Sequence, residues 1–121
     1  MSLKLAARKN LEFARQCFEN TTKVLTEEDG GFAPTPEAMT VTGQVVHVAQ
    51  TLDWLREGGF DGVWKMEFEV LAAEMPANPI MQGPRYEVIG GVVDHTAHHR
   101  GALAVYARLQ GKTPAMPYGE G

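Results

Sequence analysis

The chain has 121 residues and a mass of 13.2 kDa, enough for one compact domain with a single core but too little for two. Apolar residues make up 44% of the chain and charged residues 21%, a balance typical of folded globular domains and not of disordered chains. The formal net charge is −4 and no cluster of lysine or arginine occurs, which argues against nucleic-acid binding.

The sequence also argues against a membrane protein. No run of residues approaches the roughly 18 apolar positions of a membrane span, and residues 1–30 carry charges throughout. The single cysteine, Cys17, cannot form an internal disulfide, which agrees with a reducing compartment. We therefore expect a cytoplasmic protein that forms one domain over residues 1–121.

Residues 3–25 have the pattern of a long amphipathic helix. Apolar and small side chains recur at intervals of four and three, which places them on one face of a helix. They are Leu3, Ala7, Leu11, Ala14, Phe18, Thr21 and Leu25. This helix should end before the segment GGFAPTP, residues 30–36, because glycine and proline disfavour helix continuation.

A second helix is predicted to begin at Thr40 or Thr42, since either threonine can cap a helix N-terminus. It should run to Gly58, which suits the position after a helix end. Its inward stripe is predicted to consist of Val41, Val45, Val48, Leu52 and Leu55.

Residues 60–83 fit two patterns. Alternation at Trp64, Met66, Phe68 and Val70 is typical of a half-buried strand, whereas Trp64, Phe68, Leu71 and Met75 fit a helix. Because Pro76 and Pro79 prevent continuation, any helix here should be short and lie within about residues 62–75.

The last predicted helix opens at Pro84, a favoured first-turn residue, and closes near Gly111, with an irregular tail from residue 113. Three of the four histidines lie on it within the stretch DHTAHHRG. His95 and His99 are one turn apart in the middle of the inward stripe, so both rings can reach one ion. His98 points about 80–100° away from that stripe.

The fourth histidine, His47, projects from the second helix at the margin of its apolar sector. Three neutral imidazoles on two facing helices can hold one side of a metal ion and leave positions open for water or substrate. The alternative is that the rings are satisfied by hydrogen bonds alone in a metal-free helical interaction domain. Three imidazoles plus water suit zinc or nickel, with iron or manganese also acceptable.

These segments resemble a known family. The histidine within VTGQVVHVAQTLDWLREGGFDG, followed by DHTAHHRGALAVYARLQGKTPAMPYG, resembles the DinB/YfiT-like superfamily of bacterial metal-binding helical proteins. The likeness is close over residues 40–62 and 78–119 and loose over the first helix. It implies an all-α, up-down-down-up four-helix bundle whose three metal ligands are His47, His95 and His99. The third helix is expected to be short or incomplete, because only 24 residues separate Gly59 from Pro84.

What the resemblance implies about function is a metal-dependent enzyme, either a thiol-dependent transferase or isomerase, with a low-molecular-weight thiol as cosubstrate, or a hydrolase. The residues themselves offer no clear general base. His98, Trp54 and Tyr106 are candidate substrate-binding residues, since Trp54 and Tyr106 share the inward sectors of their helices and His98 flanks the site. The alternative is a non-catalytic, metal-binding, dimeric module related to stress.

Self-association is expected for a separate reason. A short third segment covers less apolar surface than the long helices present, and monomers rarely leave large apolar patches exposed. The last helix carries a second apolar strip of Ile89, Val93, Ala97, Ala104 and Ala107. We therefore predict a homodimer with residues 89–107 in or beside its interface.

Overall fold

The structure, a computed structural model, describes residues 2–76 and 80–119. Three long helices dominate it: α1 at Leu3–Thr22, α2 at Val41–Phe60 and α4 at Glu87–Leu109. A five-residue helix, α3, spans Phe68–Ala72, and one turn of 3-10 helix spans Glu27–Asp29. No strand forms within the described residues, which confirms the all-α prediction. None of these helices combines the length and the hydropathy that crossing a membrane demands.

Side-chain caps define where α1 and α2 begin. The Ser2 hydroxyl accepts a hydrogen bond from the Leu5 amide at 3.1 Å, and the Thr40 hydroxyl accepts one from the Gly43 amide at 3.0 Å. Each bond satisfies an amide that has no partner within the first helical turn. Of the two candidate caps of α2, Thr40 is therefore the one used.

The predicted end of α2 at Gly58 is wrong. The helix continues to Phe60, which is buried, and ends at Asp61 in the left-handed conformation with a φ of 53°. A Cβ added to Gly59 would lie 2.6 Å from Cγ2 of Val88 on α4. Gly59 allows the two helices to pack closely here, and Gly58, predicted to lie just after the helix end, is within the helix.

The inward stripe predicted for α2 is wrong at one position. Val41, Val48 and Leu55 are buried as expected, but Val45 is 42% exposed. Its place is taken by Gln44, which is only 6% exposed and faces α4. A polar residue occupies this position because its amide has buried hydrogen-bonding partners there.

The segment between α2 and α4 contains less helix than the sequence allowed. Within residues 62–75 only Phe68–Ala72 are helical, held by Leu71, which is fully buried. Beyond α3 the chain folds back on itself, since the Met75 amide donates to the Gly83 carbonyl and the Arg85 amide to the Ala73 carbonyl, both at 2.9 Å. Pro79 lies outside the described residues.

α4 begins three residues later than predicted. Pro84 lies in a turn, and its carbonyl accepts a hydrogen bond from the Glu87 amide at 3.1 Å. The helix itself starts at Glu87. It ends at Leu109, close to Gly111, whose φ of 77° suits glycine. The predicted irregular tail is confirmed for residues 113–119.

α4 is the central helix, packed against both α1 and α2, while α3 packs on α1. Buried apolar residues form two clusters along it. The larger cluster, at the α3 end, includes Leu55, Phe60, Leu71, Val88 and Val92. The smaller cluster, at the opposite end, consists of Val41, Leu103 and Tyr106 with partly buried aromatic neighbours.

A groove of about 500 Å3 lies between α1 and α2, with α4 as its floor. Leu11 and Phe18 line it from α1, Leu52 from α2, and Val92 and Thr96 from α4.

Helix α3 is much shorter than the three long helices. A five-residue helix spans only about 7.5 Å at 1.5 Å per residue, against about 30 Å for a twenty-residue helix. The short α3 therefore does not supply a full fourth wall to the helical assembly.

The close approach at Gly59 leads to a stability prediction. Gly59→Ala should lower the free energy of unfolding by about 1–3 kcal/mol relative to Gly90→Ala, because its Cβ would overlap Val88. Gly90 is the matched control, a helical glycine in α4 where an added Cβ meets nothing within 4 Å. There alanine should stabilise by up to about 1 kcal/mol through helix propensity. Urea denaturation of the two variants tests this, and equal midpoints would contradict it.

Candidate metal site

Three histidines meet between α2 and α4, at the level that separates the two apolar clusters. His47 comes from α2, and His95 and His99 come from successive turns of α4. One ligand atom of each lies within 4.8 Å of the corresponding atoms of the other two. The three residues predicted from the sequence are thus close enough to hold one metal ion.

The spacing of these rings fits a shared ion. Nε2 of His47 and Nε2 of His95 lie 3.2 Å apart. Two nitrogens at about 2.05 Å from a tetrahedral ion are separated by about 3.3 Å. The ring centroids are 4.5–5.0 Å from one another and the ring planes are strongly inclined, so the rings do not stack face to face. The separation of the His47 and His95 nitrogens therefore matches that of two ligands of one ion.

The protonation of the rings also favours metal binding. Burial lowers the pKa of His95 and of His99 below the usual histidine value, and the neighbouring histidines lower both further. Asp94 opposes this at His95, but its effect is the smallest. Because a protonated imidazole has no free lone pair, a lowered pKa keeps both rings available as ligands near neutral pH.

Gln44 contacts the histidine group, although its sequence pattern does not mark it as a site residue. Its Oε1 lies within hydrogen-bonding distance of Nδ1 of His99, and both residues are buried. Gln44 precedes His47 by three residues and so lies on nearly the same face of α2. This three-residue spacing is the only feature of the sequence that could have indicated Gln44. A glutamine amide is not recognised as a site residue until its partner, His99, is known.

The three candidate substrate-binding residues lie in different surroundings. His98 is exposed, with its ring centroid 4.9 Å from that of His99, and it is not part of the ligand group. The Trp54 side chain is 46% exposed on α2. Tyr106 is only 7% exposed, and its hydroxyl donates to the Met39 carbonyl at 2.8 Å.

Within the described residues, no carboxylate or thiol joins the three histidines. Cys17 is buried on α1 and lies in a separate small pocket with Phe13, Val93 and Ala97. Three protein ligands leave coordination positions for molecules from solution, as in catalytic rather than structural sites.

Comparison of the chain with protein-family models, with curated proteins and with solved structures finds no match.

Proposed function

We propose that this chain is a metal-dependent protein of the DinB/YfiT-like type, in which His47, His95 and His99 hold one divalent ion. The observation that carries this proposal is the convergence of three ring nitrogens, all within 4.8 Å of one another, although His47 and His95 are 48 residues apart in sequence. His99 is buried and His47 and His95 are partly buried, and a shared ion would satisfy a nitrogen of all three rings. The resemblance in the HTAHHRG region and around His47 supports the same ligand set.

The proposed reaction is transfer or isomerisation that uses a low-molecular-weight thiol, with hydrolysis as the related possibility. An ion held by three neutral imidazoles supplies Lewis acidity that lowers the pKa of a thiol or water in its open position. The chain would contribute three uncharged ligands, which leave the ion its positive charge, and apolar clusters lie on both sides of the site. Zinc and nickel are the proposed ions, with iron and manganese also compatible with the donor set.

The proposed candidates for binding a substrate remain His98, Trp54 and Tyr106. His98 and Trp54 have exposed side chains that can meet a ligand from solution. The buried hydroxyl of Tyr106 already donates to the Met39 carbonyl, so its contribution to substrate binding would be through the shape of the site.

The first test is metal binding by protein prepared without a histidine tag. The wild-type chain should bind one Co2+ per chain, and His95→Ala or His99→Ala should weaken binding at least roughly 100-fold, since losing a ligand costs more than perturbing its support. His98→Ala is the matched control and should retain wild-type affinity, because His98 is exposed and outside the ligand group. Competition titration measures these affinities. No Co2+ binding by the wild-type chain would contradict the proposal.

The second test separates an open site from a closed one. Addition of a low-molecular-weight thiol to the Co2+-loaded protein should produce a sulfur-to-cobalt charge-transfer band in the near ultraviolet. Such a band requires a coordination position that the protein leaves free. A Co2+ spectrum that does not respond to thiol would favour the non-catalytic, dimeric, stress-related metal-binding module.

We also propose that the chain forms a homodimer through the groove between α1 and α2. The apolar strip of α4 that faces α1 is partly covered within the chain, since Ile89 and Ala107 are buried. The groove borders the same helix, since the buried Val92 and Thr96 of α4 line its floor. The rim of the groove carries charges of both signs, as in the Arg15–Glu12 pair at 3.1 Å. The rims of two copies of the chain can therefore pair opposite charges across a two-fold interface.

Light scattering at micromolar concentration should give about twice 13.2 kDa for the wild-type chain. Arg15→Glu should shift this mass toward that of the monomer, because it removes one sign of charge from the rim of the groove. Lys9→Glu makes an equal change of charge at an exposed position of α1 outside the groove lining and should leave the mass unchanged. A wild-type monomer would contradict the proposal.

A further inference from the structure

A chain of three hydrogen bonds, two of them between buried side chains, leads from the histidine site to the protein backbone. Nδ1 of His99 bonds to Oε1 of Gln44, Nε2 of Gln44 lies 3.4 Å from the Tyr106 hydroxyl, and that hydroxyl donates to the Met39 carbonyl at 2.8 Å. The three side chains are each no more than 7% exposed. Bulk water therefore competes little for these groups.

The direction of every bond in this chain follows from its last member. A backbone carbonyl only accepts, so the Tyr106 hydroxyl must use its proton on Met39. The hydroxyl oxygen can then only accept from Gln44, which makes the atom facing it the amide nitrogen. The amide oxygen of Gln44 is thereby turned toward His99.

An amide oxygen has no proton to give, so the proton of this last bond belongs to His99. A neutral imidazole carries one N–H only. If that proton is on Nδ1, the lone pair that can bind a metal is on Nε2. The backbone carbonyl of Met39 thus determines, through Tyr106 and Gln44, which nitrogen of His99 is the ligand atom.

We infer that Gln44 is a positioning residue that holds His99 as its Nδ1–H tautomer and presents Nε2 as the metal-binding atom, with Tyr106 orienting the Gln44 amide. The assignment of a metal ligand rests on the proposed function, whereas the tautomer itself does not. Second-sphere groups of this kind fix ring orientation and increase the basicity of the ligand nitrogen.

The tautomer is measured first, on the metal-free wild-type protein. Long-range 1H–15N NMR correlations at pH 8 should show a protonated Nδ1 and an unprotonated Nε2 for His99. The Nε2–H tautomer in the wild-type protein would overturn the inference without any variant. A protein that shows the Nδ1–H tautomer but binds no Co2+ would refute the metal proposal and still support the role of Gln44.

Variants then test whether Gln44 is responsible. Gln44→Leu removes the acceptor at similar size and should mix the two tautomers of His99 and lower Co2+ affinity about 10–100-fold. Gln44→Glu keeps an acceptor oxygen for Nδ1–H and should retain the tautomer and most of the affinity. Gln50→Leu makes the same substitution at an exposed position of α2 and should leave both readouts unchanged.

Tyr106→Phe tests the next bond and should reduce Co2+ affinity less than Gln44→Leu, since the Gln44 oxygen can still accept. It also serves as the second variant if Gln44→Leu fails to fold, which circular dichroism and thermal melting would reveal. A folded Gln44→Leu protein with the wild-type tautomer and wild-type Co2+ affinity would overturn the inference. Loss of affinity in Gln44→Glu equal to that in Gln44→Leu would also overturn it.

Discussion

The arrangement of this protein depends on a polar layer enclosed between two apolar clusters. Imidazole groups placed in a helix interface must find hydrogen-bond or metal partners, because an unsatisfied buried polar group costs free energy comparable to a lost hydrogen bond. Here His47, His95 and His99 turn toward one another, and Gln44 satisfies the remaining nitrogen of His99. The helices that carry them must therefore keep one separation and one register.

Contacts at both ends of α4 maintain that register. On one side of the histidines, the missing side chain of Gly59 lets α2 approach Val88 closely. On the other side, Tyr106 joins α4 to the backbone at Met39, just before α2 begins. The histidine site therefore lies between these two connections, one from α4 to α2 and one from α4 to the segment just before α2.

The short α3 has a different consequence for the surface between α1 and α2. Where a bundle would have a fourth long wall, α1 and α2 leave a groove whose floor is α4. Val92 and Thr96, which line this groove, lie within one turn of His95 and His99, so the groove and the histidine site are neighbours on the same helix. Association through the groove would cover apolar surface while leaving the coordination chemistry of the histidines to the single chain.

The all-α class, the approximate extent of the long helices and the pairing of His95 with His99 could be predicted from the amino-acid sequence. These follow from local rules, because a period of 3.6 residues places i and i+4 on one face whatever the helix packs against. His47 was predicted by its position on its helix and by the resemblance. The tertiary structure was needed to identify Gln44, rather than Val45, as the inward residue and to show that α2 continues past Gly58 to a close contact at Gly59. Both outcomes depend on the facing residue of α4, His99 for Gln44 and Val88 for Gly59, which no local pattern of α2 contains. The hydrogen bonds that link His99, Gln44 and Tyr106 could likewise not be predicted from the sequence. They join residues that are distant in the chain, and they form only where packing brings those residues together and excludes water.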